Sequence, residues 1–149
     1  AQGFSPLFPC AHNLPCPMLQ HSPNDWCHGT LRWDEPLLVR QLDALTGFNK
    51  HRVKYAAFLA QRIPTLLKDQ TYRVLRPATK ENRGTTISIC GAPYFGTAVL
   101  PKRHRTDDNR VLSRAVEFDL VHISSVGADG VIPRDARVEL HHDDHGQSV

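Results

Sequence analysis

Nowhere in these 149 residues do apolar side chains run for the roughly 18 positions that a membrane-crossing helix needs. The opening AQGFSPLFPC has neither the basic start nor the continuous apolar stretch of a secretory signal. No two cysteines stand in a CxxC pair, so the tight paired spacing of a zinc knuckle is missing. No glycine-rich turn follows a strand-like run, which removes the usual cradle for a nucleotide-type cofactor. Gly91 and Gly96 flank a candidate hairpin instead. There is no internal repeat, and Ala1 rather than Met opens the chain. The expectation is a processed chain or a piece of a longer protein, with the piece favoured.

What is present is uneven in charge. The formal net charge is only +3. Residues 71–115, however, carry nine Lys/Arg (Arg73, Arg76, Lys80, Arg83, Lys102, Arg103, Arg105, Arg110, Arg114) against Glu81, Asp107 and Asp108. Residues 116–149 reverse the balance, with two basic and seven acidic side chains. Such a lopsided field favours an anionic partner for the middle segment.

Residues 1–33 are rich in Pro, His and Cys and have neither helical nor strand period. A segment that buries so little needs a cross-link or a bound metal to hold its shape. After it, Asp34 suits a cap, Glu35 and Pro36 suit a first turn, and Leu38, Leu42 and Leu45 recur at helical spacing before Gly47. These predict an amphipathic helix over 35–46. HRVKYAAFLAQRIP is ambiguous by period alone. From Tyr72 the runs YRVLRP, TTISIC, GTAVLP, VEFDLVHI and ARVEL predict short strands of a small antiparallel sheet or barrel. NRVLSRAVE reads as a short helix inside a basic excursion, and HHDDHGQSV has nothing to bury.

Three of the four cysteines lie in PCAHNLPCPMLQHSPNDWCHG, spaced C-x5-C-x10-C, and sixty-two residues separate Cys27 from Cys90 at the end of TTISIC. Four chemistries compete: two disulfides, structural zinc, a 4Fe–4S cluster, and thiols packed as small hydrophobes. His12, His21 and His28 are each able to replace a thiolate on zinc. The wide gaps suit a cluster better than one zinc ion, and Cys16-Pro17 has a parallel in ferredoxin-type runs. Three cysteines in an apolar-poor loop fit hydrophobic packing poorly.

Pro9, Cys10, His12, Cys16, Pro17, then Asp25, Trp26, Cys27, His28, with Cys90 far downstream, resemble the signature of the methyltransferase-like small-ribosomal-subunit assembly family of mitochondria and bacteria. YRVLRP, GTAVLPKR and VKYAAFLAQR extend the likeness more loosely, and the last tips residues 53–61 towards strand. Ala11, Gly29, FNKHR and VEFDL depart from the family pattern and mark a divergent branch.

The resemblance implies that Cys10, Cys16, Cys27 and Cys90 hold a 4Fe–4S cluster, with zinc the alternative metal; Trp26 reads as a cover that excludes water from it, against a stacking platform for a base. It implies an α+β chain from the C-terminal part of a Rossmann-like methyltransferase. Its segments are a metal-cluster loop over 1–33, a helix and strand remnant of an α/β domain over 34–70, a small β-rich domain over 71–140, and a disordered tail over 141–149. The S-adenosylmethionine site lies upstream in the family, so this chain alone is not expected to catalyse methyl transfer, whether or not its parent does. The partners implied are small-subunit ribosomal RNA or ribosomal proteins and the rest of the parent chain, not a membrane. The compartment implied is the mitochondrial matrix or a bacterial cytoplasm. Arg73, Arg76, Lys102, Arg103 and Arg105 are the candidate RNA contacts, since such side chains supply affinity through phosphates. Against this stands a zinc-stabilised interaction module with no link to methyl transfer. The bland alternatives are a solvated basic loop and a solvated His/Asp tail.

Overall fold

From Thr71 onward the chain forms strands along which buried and less buried residues largely alternate. In chain order the elements are β1 (Ser5–Phe8), α1 (Pro17–His21), β2 (Gly29–Arg32), α2 (Leu37–Thr46), β3 (Arg52–Tyr55), β4 (Leu59–Gln61), β5 (Thr71–Lys80), β6 (Gly84–Cys90), β7 (Phe95–Pro101), β8 (Leu120–Ile123) and β9 (Val138–His141). The computed structural model describes residues 4–10, 12, 15–21, 27, 29–48, 50–62, 69–91 and 94–141. The architecture is α+β and mostly strand. Two units divide it: Ala1–Trp26 with Phe58–Val149, and Cys27–Ala57.

The first unit is built on a five-stranded antiparallel sheet in the order β7-β6-β5-β8-β9. Tyr72 and Val74, Ile87 and Ile89, Ala98 and Leu100, and Val121 and Ile123 all point to one face, because side chains two apart on a strand share a side. Leu112, Ala115, Ile132, Ala136 and Val138 close that face into the core. Each fully buried Ile or Leu there stabilises the fold by about 1.5–3 kcal/mol. Val99 on the outer edge of β7 bonds both Gly130 and Ile132 (2.8 Å each), so that edge is covered. NRVLSRAVE forms a 3₁₀ turn at Arg110–Arg114 rather than an α-helix. Within Arg110–Arg114 only Leu112 is buried, too little apolar surface to support a longer helix.

The expectation that residues 1–33 lack regular structure is corrected. β1 pairs antiparallel with β4, Ser5 opposite Gln61 and Phe8 opposite Leu59. β2 pairs with β3, Gly29 opposite Tyr55. Partners distant in sequence create these ladders, and local period cannot reveal them. The strand expected over 53–61 is likewise two strands with different partners, broken at 56–58.

In the second unit, α2 begins later than expected, with Pro36 at the N-cap and no capping side chain. Glu35 turns inward instead, bonding His51 Nδ1 and lying 3.5 Å from Arg40 Nε. Gly47 stops the helix as expected: it adopts φ +71° and donates its N–H to Asp43 O at 2.8 Å. Leu37, Leu38, Leu42 and Leu45 are exposed along α2. Among the described residues, no helix is long and apolar enough to cross a membrane. His141 ends β9, and 142–149 of the expected tail lie outside the described residues.

Candidate metal centre

Cys90 is the last residue of β6, and alternation sends it to the face opposite Ile87 and Ile89. Its partner across the ladder is Arg73 of β5. Directly opposed residues of antiparallel strands project to the same side, so thiol and guanidinium share a face. Both are buried.

The guanidinium is committed to backbone. Nε donates to Pro9 O (3.0 Å), Nη2 to Leu7 O (2.6 Å) and Nη1 to Phe118 O (2.6 Å). It lies 5.5 Å from the centroid of the Phe8 ring, which meets Phe118 edge-on at 4.8 Å. Cys10 follows Pro9 directly, so the segment carrying the first cysteine is docked where the strand carrying the fourth ends. This corrects the expectation that Arg73 contacts RNA. At 2% exposure its donors face protein carbonyls, and a basic strand residue does not announce in sequence which way it points.

Cys16 stands just before α1, its carbonyl accepting Gln20 N–H at 3.2 Å. Burial raises the Cys10 pKa above the ordinary thiol value, the nearby Cys16 raises it further, and Arg73 opposes both. The Cys10 thiol therefore lies near Cys16 and beside a fixed cation. Cys27 is half-buried in the second unit, and no disulfide joins any of the four. Among the described residues, no three His, Cys, Asp or Glu side chains converge closely enough to hold a metal ion. His12 is half-buried, whereas Asp25, Trp26 and His28 lie outside the described residues, as does the role expected of Trp26. The donor chemistry nonetheless fits a thiolate-ligated metal group. Cys10, Cys16 and Cys90 belong to one unit, and a bound cationic centre would offset the burial that raises the Cys10 thiol.

The other candidate surface lies at the far end of the same sheet. β6 runs from Gly84 to Cys90, so its ends stand about 20 Å apart at roughly 3.3 Å per residue. Gly84 pairs with Pro101, Lys80 with Thr85, and Lys102 donates its N–H to Arg83 O at 3.3 Å. Lys80, Arg83, Lys102 and Arg103 are thus gathered at one end, all exposed, with Arg105 exposed just beyond and Arg76 exposed midway along β5. Glu81 there accepts the Thr86 hydroxyl at 3.0 Å, while Arg110 is paired with Asp107 at 3.0 Å. Lys80 and Arg83 join the expected contacts through hairpin register, a signal that charge counting alone does not carry. No Phe, Trp or Tyr occurs in 73–93 or 96–117, and within these segments only the half-buried His104 ring accompanies the cations. Asn109, fully buried, fixes the excursion: its Nδ2 donates to His104 O (3.0 Å) and Arg134 O (3.4 Å), and its Oδ1 accepts from Thr106 N–H (2.8 Å).

One family model, described as mitochondrial small ribosomal subunit Rsm22, matches residues 1–126. No curated protein and no solved structure matches the chain.

Proposed function

The chain belongs to the Rsm22 family of the mitochondrial small ribosomal subunit, and from that premise we propose that it is the cluster-stabilised, RNA-contacting portion of a methyltransferase-like small-subunit assembly factor. In this reading it derives from the C-terminal part of a Rossmann-like enzyme whose S-adenosylmethionine site lies outside these residues. The family points to the mitochondrial matrix, or to the cytoplasm in bacterial relatives, as the place where it works.

Cys10, Cys16, Cys27 and Cys90 would hold a 4Fe–4S cluster. When bound, such a group cross-links segments that bury too little to fix themselves, so that metal affinity becomes folding energy. The chain's own residues do the rest. Pro9 and Pro17 stiffen the backbone beside two ligands. The β6 strand presents Cys90, and the sheet core anchors β6. At the sheet's other end, Lys80, Arg83, Lys102, Arg103 and Arg105, with Arg76, would meet rRNA phosphates. Cations without exposed rings suit backbone contact rather than base reading.

The observation that carries the reading is the docking of the Cys10 segment beside the strand end that bears Cys90, within a chain of this family. Anaerobic purification followed by metal analysis tests it. An iron-bearing brown protein supports the reading. A colourless protein with one zinc supports the interaction module instead.

A further inference from the structure

We propose that Arg73 is the positioning residue of the thiol site, fastening the Leu7–Cys10 backbone to the end of the sheet that carries Cys90. The proposal rests on the reading of the cysteines as cluster ligands. Arg73 touches none of the metal; it acts through the backbone that bears the thiols.

The guanidinium reaches three carbonyls from two separate segments, each through a different nitrogen. Leu7 O and Pro9 O flank Phe8, so the two bonds grip the chain on either side of the ring that lies against the guanidinium. A planar fork with fixed donor directions makes this arrangement possible. A lysine ammonium keeps the charge but has a single nitrogen and cannot span the three acceptors.

The third acceptor comes from a costly turn. Phe118 has φ +73°, in the left-handed region that bulky residues rarely enter. Its own N–H donates to Val74 O at 2.8 Å, and Asp119 Oδ2 accepts Val116 N–H at 2.8 Å. Held this way, the turn aims Phe118 O at Arg73 and sets the Phe118 ring against Phe8. A strained residue that supports the clamp from the other side separates this arrangement from incidental packing. Beyond the clamp, β1 is tied down by a short ladder to β4 that stops at Phe8, before Cys10. One side chain thus joins two ligand-bearing segments that lie far apart in sequence.

The test uses the full chain with Arg73→Lys and Arg73→Gln, and Ile123→Val as a control that loosens the core on the opposite face of the sheet from Arg73 and Cys90. Two quantities are read: the rate at which a chelator removes iron anaerobically, and hydrogen exchange in the metal-free protein at the amides within 5–10, those of Ser5, Leu7, Phe8 and Cys10. Both Arg73 variants should release iron about tenfold faster or more, the scale for losing a residue that orients a ligand. Both should exchange 5–10 faster while β6 and β7 keep their protection, and Ile123→Val should do neither. Arg73→Lys with wild-type iron release and wild-type exchange overturns the proposal. So does an Ile123→Val chain that loses iron as fast as the Arg73 variants. A wild-type chain that never holds iron defeats the cluster reading instead, and the exchange arm still decides the clamp. If the Arg73 variants do not fold, Phe8→Leu removes only the ring from the clamp; it should raise the same exchange rates, and unchanged rates there overturn the proposal.

Discussion

Arg73 and Cys90 face each other across the β5–β6 ladder, both buried on the side of the sheet that the core does not use. The same guanidinium bonds Leu7 O and Pro9 O, so the segment that leads into Cys10 is held beside the strand end that carries Cys90.

That placement makes Cys90 a demanding position. Cys90→Ser should lower iron content and cooperative folding together, and Cys27→Ser should do the same. Metal analysis and circular dichroism melts on each variant check this. Two variants that stay folded with a full iron complement would contradict the structural role of the cluster.

The basic end of the sheet should be separable from the cysteine end, because about 20 Å of strand lies between them. Lys102→Glu with Arg103→Glu should weaken binding to a small-subunit rRNA duplex and reduce the salt dependence of log K by about one per lost phosphate contact. Adding Lys80→Glu and Arg83→Glu should deepen the loss. Visible absorbance of the cluster should not change. Anisotropy titrations at several salt concentrations give the slopes, and a slope unchanged in all variants would remove this surface from the reading.

Helix α2 and the core strands were legible in the sequence because each depends on local order. Gly47 ended a leucine repeat, and Thr85–Cys90 alternated cleanly. β1 and β2 were not, since four-residue strands acquire identity only from the partners β4 and β3. Arg73 illustrates the same limit at one residue. Its neighbours Tyr72 and Val74 fix which side is core, but only the chain folded over the opposite side makes that side interior. Lys80 and Arg83 became part of a surface through register, which composition does not encode. The 3₁₀ turn at Arg110–Arg114 has helical residues but only one buried side chain to hold them.

Asn109 should be the polar residue on which the basic excursion depends. Asn109→Ala strands the His104 carbonyl and the Thr106 amide without their partner. The expected cost is about 2–4 kcal/mol for two buried groups left unsatisfied. Chemical denaturation should register it, with exchange rising selectively across 102–109. A loss below about 0.5 kcal/mol would mean that water replaces both bonds.

The alkaline limb of stability should involve Tyr94. Burial raises its phenol above the ordinary value of 10.0, and the Asp129 carboxylate raises it further. Because the folded value exceeds the unfolded one, the protonated phenol contributes stability that is complete below pH 10.0 and is lost as pH rises through the folded value. Asp129→Asn removes the second cause and keeps the first, so tyrosinate absorbance should rise at lower pH than in the wild type. An unshifted titration would show that Asp129 does not act on Tyr94.

The proposal that matters most for this Rsm22-family chain is that Cys10, Cys16, Cys27 and Cys90 hold one iron–sulfur cluster. Iron, zinc and acid-labile sulfide measured on strictly anaerobic protein test it most directly. The account predicts a brown protein with about four irons per chain and matching sulfide. A colourless, folded protein with about one zinc and no sulfide would contradict it.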